Sequence, residues 1–507
     1  MHEIELKFQV PEARRRGLQQ AFRRGRVTEQ RLLAVYFDTE DRLLARHGMA
    51  LRLRSEPGGW VQTLKAGNSH GPLRLEDNVA LGASEAMPAP DPERHAGTPA
   101  HRRLLKAFAP AKQATLVEVF RTDVTREVRL LKGPGGLLAE AALDRGEVQA
   151  GAARHALWEI EFEWKAGPLA GLFALAADWV AQHGLWLDSV SKAERGHWLS
   201  LGKTGAPAVK ARSPEVDAGL GAAAFARAAV AACLAQVLPN LSALASGDGN
   251  GSGGPGGPDH VHQLRVGLRR LRTVLREMAP LDAGLDPGWE APLARVFGAL
   301  GRLRDRQLLE TQTRGALIAA GAPPLGRLQP PSQDPPLSSL LQASDFQLVL
   351  LAAQALAMQA TPVTHAAYDG PPLPALAERL DHLQRQLRRD AKHFETLPPE
   401  HQHRARKRLK RLRYLAEFTA PLFRRSEVSR YFKALAPAQD CLGRLTDQMA
   451  AQAAYREAAA AQPQAWFAVG WLSAGHADAV RAARQALAQA GKAKPFWHGR
   501  LRRRQGC

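Results

Sequence analysis

Residues 1–10 read MHEIELKFQV, in which Glu3, Glu5 and Lys7 alternate with Ile4, Leu6 and Phe8. A strand has a side-chain period of two, so the two carboxylates and the ammonium share one face and the apolar three share the other. The device recurs: WEIEFEW puts Glu159, Glu161 and Glu163 on one face, LRLR does so for Arg52 and Arg54, and PLRLED for Arg74 and Glu76. For any single strand a solvated charged face is the commoner explanation. Carboxylates gathered on two strands and guanidinium groups on others ask for more. If the sheet curls so that these faces line an interior, every charge needs a partner, because unpaired buried charge is prohibitive. A tunnel holding divalent cations and an oligophosphate would satisfy them together. Hard Mg²⁺ or Mn²⁺ takes carboxylate oxygens, while arginine forks and lysine ammonium groups take phosphate oxygens. A barrel of about eight strands has room for one small ligand.

A second constellation lies further along. In VHQLRVGLRRLRTVLR, His262, Arg265, Arg269, Arg272 and Arg276 are spaced 3, 4, 3 and 4 and form one stripe of a helix. Leu264, Leu268, Leu271 and Leu275 form the apolar stripe beside it. His403, Arg406, Lys410 and Arg413 repeat the offsets, next to Ala405, Leu409, Leu412 and Ala416. LGRLRD, ending at Asp305, and LGRLTD, ending at Asp447, follow the two histidines by 43 and 44 residues. Repetition of that length implies two related helical bundles. Paired cationic rows suit a linear polyanion bound with salt-sensitive affinity, and the histidines there are expected to donate hydrogen bonds rather than to catalyse.

These residues have to be positioned by more than one domain, because 507 residues exceed what one core usually serves. Up to about residue 200 short alternating segments dominate: HEIELKF, MALRLRSE, WVQTLKAG, PLRLEDNVAL, VEVFRTDVTREVRLL, LLAEAALDRGEV and HALWEIEFEWK. They predict an antiparallel sheet, with helices near Glu12 to Arg24, Pro99 to Phe108 and Pro168 to His183 where the spacing moves to three and four. The aperiodic Gly/Pro/basic stretch 203–214 is read as a linker. Residues 215–500 are read as all-helical, in two repeats of about 215–320 and 338–490. Ser246 to Asp259, SGDGNGSGGPGGPD, is expected to be a loop. The net charge is +20, with 69 basic against 49 acidic residues, which favours polyanionic partners. Residues 1–203 hold 29 basic and 25 acidic side chains and the remainder 40 and 24, so the excess belongs to the helical part. Cys233, Cys441 and Cys507 form no pair at metal or disulfide spacing, no leader pattern opens the chain, and no apolar run of membrane-spanning length is read. A cytoplasmic protein with no membrane partner is expected.

The first 202 residues resemble the CYTH domain of the triphosphate tunnel metalloenzymes. Glu3, Glu5 and Lys7 match its ExExK signature. The likeness continues through Arg52 and Arg54, Lys65 of QTLKAG, Arg74 and Glu76, Arg126 of RTDVTREV, Glu140 and Asp144 of AEAALDRG, the EIEFE run, and Lys192 of SVSKAERG. Val128 stands where that family has an aromatic residue. The resemblance implies an antiparallel β-barrel, with Glu3, Glu5, Asp144, Glu159, Glu161 and Glu163 as ligands of Mg²⁺ or Mn²⁺. It implies Lys7, Arg52, Arg54, Lys65, Arg74, Arg126 and Lys192 as the residues that hold triphosphate, with Glu3, Glu5, Lys7, Lys65 and Lys192 in catalytic roles.

Residues 215 to about 500 resemble the CHAD domain, carried by the two HxxR helices and the LGxLRD-type segments. That likeness implies inorganic polyphosphate bound by His262, Arg265, Arg269, Arg272, His403, Arg406, Lys410 and Arg413, and a location that includes polyphosphate granules. The fold class expected is α+β: a tunnel barrel followed by an all-α domain of two related bundles. The function expected is metal-dependent hydrolysis of inorganic triphosphate, with polyphosphate binding by the helical part. The alternatives are a class IV adenylate cyclase, a thiamine-triphosphatase-like enzyme and a non-catalytic polyphosphate-binding protein. Nucleic acid is disfavoured as a partner because no motif for it is present.

Overall fold

The computed structural model describes residues 2–66, 73–109, 115–203, 205–246, 256–326, 328, 335–359, 370–499 and 501, with the backbone alone for His2, Glu3, Leu73 and Arg74. Most of the glycine-rich stretch read as a loop, 247–255, lies outside these residues.

The N-terminal part is one antiparallel sheet of nine strands: β1 (His2–Gln9), β2 (Thr28–Asp38), β3 (Met49–Glu56), β4 (Gly59–Ala66), β5 (Leu73–Gly82), β6 (Val117–Lys132), β7 (Leu138–Ala150), β8 (Ala153–Ala166) and β9 (Trp186–Leu187). The order β5-β4-β3-β2-β6-β7-β8-β1-β9 closes on itself, because β1 also pairs with β5. Closure is made by the first half of β1, with Glu3 opposite Arg74, while its second half pairs with β8. The result is an eight-stranded barrel with β9 added on β1.

Alternation decides which face enters the barrel. Leu6, Phe8, Ile160 and Phe162 point outward and are at most 1% exposed, under the helices Arg15–Phe22 and Leu169–His183. On the far wall Met49, Leu51 and Leu64 pack outward against helix Pro99–Phe108. The charged residues between them therefore face in. One end of the interior is apolar, formed by Ala34, Tyr36, Phe120, Val148 and Leu157, and Ala193 and Leu199 of helix Lys192–Ser200 pack against it. That helix comes so close to the wall that a Cβ on Gly196 would lie 2.1 Å from the Phe120 ring. Strand β2 and the two-residue β9 are not among the alternating segments of the sequence. The second half of β2 is buried on both faces, so AVYFD shows no alternation.

The C-terminal part is helical and repeats. Helix Pro258–Met278 is followed by the short turn Ala279–Leu281 and helix Glu290–Leu308; helix Pro399–Thr419 is followed by Ala420–Leu422 and helix Arg425–Ala458. Leu264, Leu268, Leu271, Ala405, Leu409 and Leu412 are fully buried, which puts both apolar stripes in the core. Helix Ala222–Ala245 corrects one expectation: it is apolar and long enough to cross a membrane by composition. Most of it is buried in this protein's own core.

Candidate functional site

Strand register builds the acidic wall. Arg126 on β6, Asp144 on β7, Glu159 on β8 and Gln9 on β1 are direct cross-strand neighbours in one row. Glu140, Glu163 and Glu5 form a parallel row, with Glu161 and Lys7 between the two. Like charges directly opposite, such as Asp144 and Glu159, are destabilising unless a cation lies between them. Lys192 supplies it: its Nζ lies 2.6 Å from Asp144 and 2.8 Å from Glu161, and it also pairs with Glu159. Arg126 adds a bidentate pair to Asp144 at 2.7 Å and a contact to Glu161 at 2.6 Å.

Local sequence places Lys192. Ser191 and Glu194 form a capping box that starts helix Lys192–Ser200 at this lysine. A cation in the first turn opposes the helix dipole, by about 0.3–1 kcal/mol, and the three carboxylates offset that. Burial alone would raise the Glu161 carboxyl, but Lys192 and Arg126 outweigh it and hold it well below the usual range. Burial would likewise lower Lys192, and Asp144, Glu159 and Glu161 together keep its ammonium well above its ordinary value.

Carboxylate oxygens of Asp144, Glu159 and Glu161 lie within 4.8 Å of one another. An all-oxygen set of this size fits a hard divalent cation. Behind it Gln9 donates to Glu159 at 3.2 Å and to Asp188 at 2.8 Å. Asp188, which also pairs with Arg195, is pushed up by burial but brought down to about 2 by Arg195 and Lys7. Gln9 extends the alternation of Glu3, Glu5 and Lys7 by one position but carries no charge to draw attention, and no spacing marks Asp188 or Arg195.

The opposite wall is basic. Arg52, Arg54 and Lys65 line the same cavity, of about 1200 Å³, as Glu5, Glu140, Glu161 and Glu163. Lys65 pairs with Glu76 at 2.5 Å and Arg54 with Glu56. Arg52 crowds Arg54 and, together with burial, lowers its pKa, the signature of a place short of negative charge. The Nε of Arg52 and the Nζ of Lys7 are buried without a hydrogen-bond partner among the described residues. Tyr36, Phe37, Phe120, Trp164 and Trp198 also line the cavity, brought together from four elements. The side chains of Glu3 and Arg74 lie outside the described residues.

The helical part gathers a second site. Arg265, Arg269 and Arg272 each place their guanidinium carbon 5.1 Å from the ring of Phe297. Arg265 lies 3.8 Å from Asp305, and its repeat counterpart Arg406 lies 3.8 Å from Asp447. The two stripes face each other: burial together with Arg269, Arg406 and Arg413 pushes Lys410 down to about 8. Burial and Arg269 push Arg265 down to about 10. Burial and the surrounding cations also lower His262 and His403. Arg272 and Arg413 differ from the rest of their stripes, being paired with Glu290 at 2.5 Å and Glu417 at 2.7 Å. Among the described residues His262, Arg269, His403 and Lys410 make no ion pair, and Arg265 and Arg406 flank them.

Comparison with known proteins matches both parts of the chain. The family model for the CYTH domain matches residues 1–197 and that for the CHAD domain residues 228–456. The chain carries a CYTH domain followed by a CHAD domain. An inorganic triphosphatase from Haemophilus influenzae is 30% identical over 205 residues, 39% of this chain and 55% of that protein, so the match spans about half of the relative's length. Among solved structures, the CHAD domain from the plant Ricinus communis aligns at 24% identity with a TM-score of 0.46, over 59% of this chain and 100% of that one. A proposed adenylyl cyclase from Hippeastrum, described as having a dominant triphosphatase activity, aligns at 18% identity with a TM-score of 0.27, over 40% of this chain and 96% of that one.

Within the CYTH domain, Asp144, Glu159, Glu161, Arg126 and Lys192 form one ion-paired group, and Arg52, Arg54 and Lys65 face it across the cavity. Within the CHAD domain the two stripes meet at the junction of the repeats.

Proposed function

We propose that the CYTH domain hydrolyses inorganic triphosphate with a divalent cation, and that the CHAD domain binds inorganic polyphosphate. The observation that carries the first part is the division of one closed interior into an acidic wall, centred on Asp144, Glu159 and Glu161, and a basic wall of Arg52, Arg54 and Lys65. Phosphoanhydride hydrolysis needs neutralised charge and an aligned water rather than a covalent nucleophile. Arg52, Arg54 and Lys65 bind the phosphoryl oxygens, and the partnerless donors of Arg52 and Lys7 gain acceptors when substrate is present. Glu3, Glu5, Asp144, Glu159, Glu161 and Glu163 would hold Mg²⁺ or Mn²⁺, which neutralises phosphoryl charge and acidifies a bound water. Lys192 and Arg126 hold the Glu161 and Asp144 carboxyls below their ordinary values, and Gln9 orients the Glu159 carboxylate. The apolar end packed by helix Lys192–Ser200 excludes bulk water.

A second reading, an organic triphosphate as substrate, is supported by the five aromatic side chains in the cavity lining. A panel of triphosphate, ATP, thiamine triphosphate and long polyphosphate, each with Mg²⁺ and Mn²⁺, tests both by release of phosphate and of cyclic nucleotide. Turnover highest on inorganic triphosphate supports the proposal; turnover confined to an organic triphosphate overturns it.

For the CHAD domain, the support is a core of cations in which burial and Arg269, Arg406 and Arg413 outweigh Glu417 at Lys410, and Arg269 makes no ion pair among the described residues. Mutual repulsion that lowers lysine and arginine pKa values is relieved by a line of phosphates.

A further inference from the structure

The segment after helix Lys192–Ser200 has no regular structure, yet the CHAD domain grips it at three points. Asn240 accepts from the backbone N–H of Val209 at 3.1 Å and donates to the Val209 carbonyl at 2.9 Å. His260 reaches the Ala206 carbonyl at 3.1 Å, and Arg270 donates to the Arg212 carbonyl at 2.8 Å. Asn240, Arg270 and His260 are 0%, 2% and 6% exposed. Burying three polar side chains is costly unless they are hydrogen-bonded, and strap backbone is what each of them bonds. The chain is held on the other side of the same helix too, where Gln347 accepts from the N–H of Leu187 at 2.8 Å and Ser242 from that of Ser189 at 2.9 Å.

The gripped strap has a second contact. Ala206, Pro207 and Val209 line the tunnel cavity alongside His197 and Trp198. The side chains of Ala206, Pro207 and Val209 give a phosphoryl group no donor, whereas Arg52, Arg54 and Lys65 do.

We propose that residues 205–212 are a specificity-determining wall of the tunnel mouth, fixed there by the CHAD domain, which limits the accepted phosphate chain to a short oligophosphate. This rests on the triphosphatase reading above and adds that chain-length selectivity in the CYTH domain depends on side chains of the CHAD domain.

The test is kcat/KM of the full chain on triphosphate, tetraphosphate and long polyphosphate. Asn240→Ala removes the clasp on Val209 without touching either charged site. It should lower the preference for triphosphate over the longer chains about tenfold, through KM for the longer chains, with kcat on triphosphate within about twofold. Pro207→Arg leaves the clasp intact and puts a guanidinium beside Ala206 and Val209 where the cavity lining has none, so tetraphosphate should gain relative to triphosphate. This second variant decides the matter if Asn240→Ala does not fold. Selectivity unchanged in folded, triphosphate-active Pro207→Arg, or in such an Asn240→Ala, overturns the proposal. A wild-type chain that releases no phosphate from triphosphate overturns the functional reading instead, and this proposal with it.

Discussion

Replacing Lys192 with Met separates the electrostatics of the acidic wall from its packing. The lysine Nζ is shared by Asp144, Glu159 and Glu161, and its removal leaves Arg126 as the cation paired with that group. Asp144 and Glu159 are fully buried, so water cannot screen the deficit. Breaking a buried ion pair from one side costs about 3–5 kcal/mol. At about 2–4 °C per kcal/mol for a domain near 200 residues, the melting temperature of the CYTH transition should fall by roughly 6–20 °C. The pH dependence has a definite sign. The carboxyls of Asp144 and Glu161 are held below their ordinary values, so in the wild type their contribution is present above about pH 4 and is lost as pH falls through the lower folded values. Lys192 is raised, so its contribution is complete below about pH 10 and lost only above that. Both are present at neutral pH, where the deficit of the variant is greatest. It should shrink towards pH 5, where carboxylates without their lysine protonate more readily. A divalent cation should stabilise the variant more than the wild type, because it supplies charge where Lys192 did. Calorimetry in EDTA and in Mg²⁺, at pH 7.5 and 5, measures all of this. Melting of the variant within about 2 °C of wild type in EDTA at pH 7.5 would refute the reasoning.

In the CHAD domain, Phe297→Leu keeps an apolar side chain but removes the ring under three guanidinium groups. Polyphosphate affinity should fall, and the slope of log affinity against log salt should flatten by about one; Phe297→Tyr should restore both, and an unchanged slope in the Leu variant would count against the ring's role. Lys410, brought down to about 8, should take up a proton when a polyanion binds. Affinity should therefore drop as pH rises from 7 to 9, and Lys410→Arg should flatten that profile in a binding titration.

The strands legible in the sequence were those with one wet, charged face and one apolar face, as in HEIELKF and WEIEFEW. Strand β2 was lost because its buried second half carries no period. Residue types in the tunnel were readable because charge on alternate positions of several strands has few other uses. Their pairing was not. That Arg126, Asp144 and Glu159 form one row depends on the register of β6, β7 and β8, which the turns between these consecutive strands set and the residue pattern alone does not. The neutralisation of Arg413 by Glu417 follows from a spacing of four and was open to inspection. That of Arg272 by Glu290 comes from a neighbouring helix and was not. The apolar run of helix Ala222–Ala245 is masked in the sequence by its buried polar residues, Gln236, Asn240 and Ser242, which interrupt it.

The most direct measurement is phosphate release from inorganic triphosphate over a titration of Mg²⁺ and Mn²⁺, by wild type and by Glu161→Gln, with polyphosphate retention followed on the same samples. The account predicts metal-dependent release by wild type, loss of about a hundredfold or more in the variant, and equal polyphosphate retention by both. Release that persists in Glu161→Gln, or that needs no divalent cation, would contradict it.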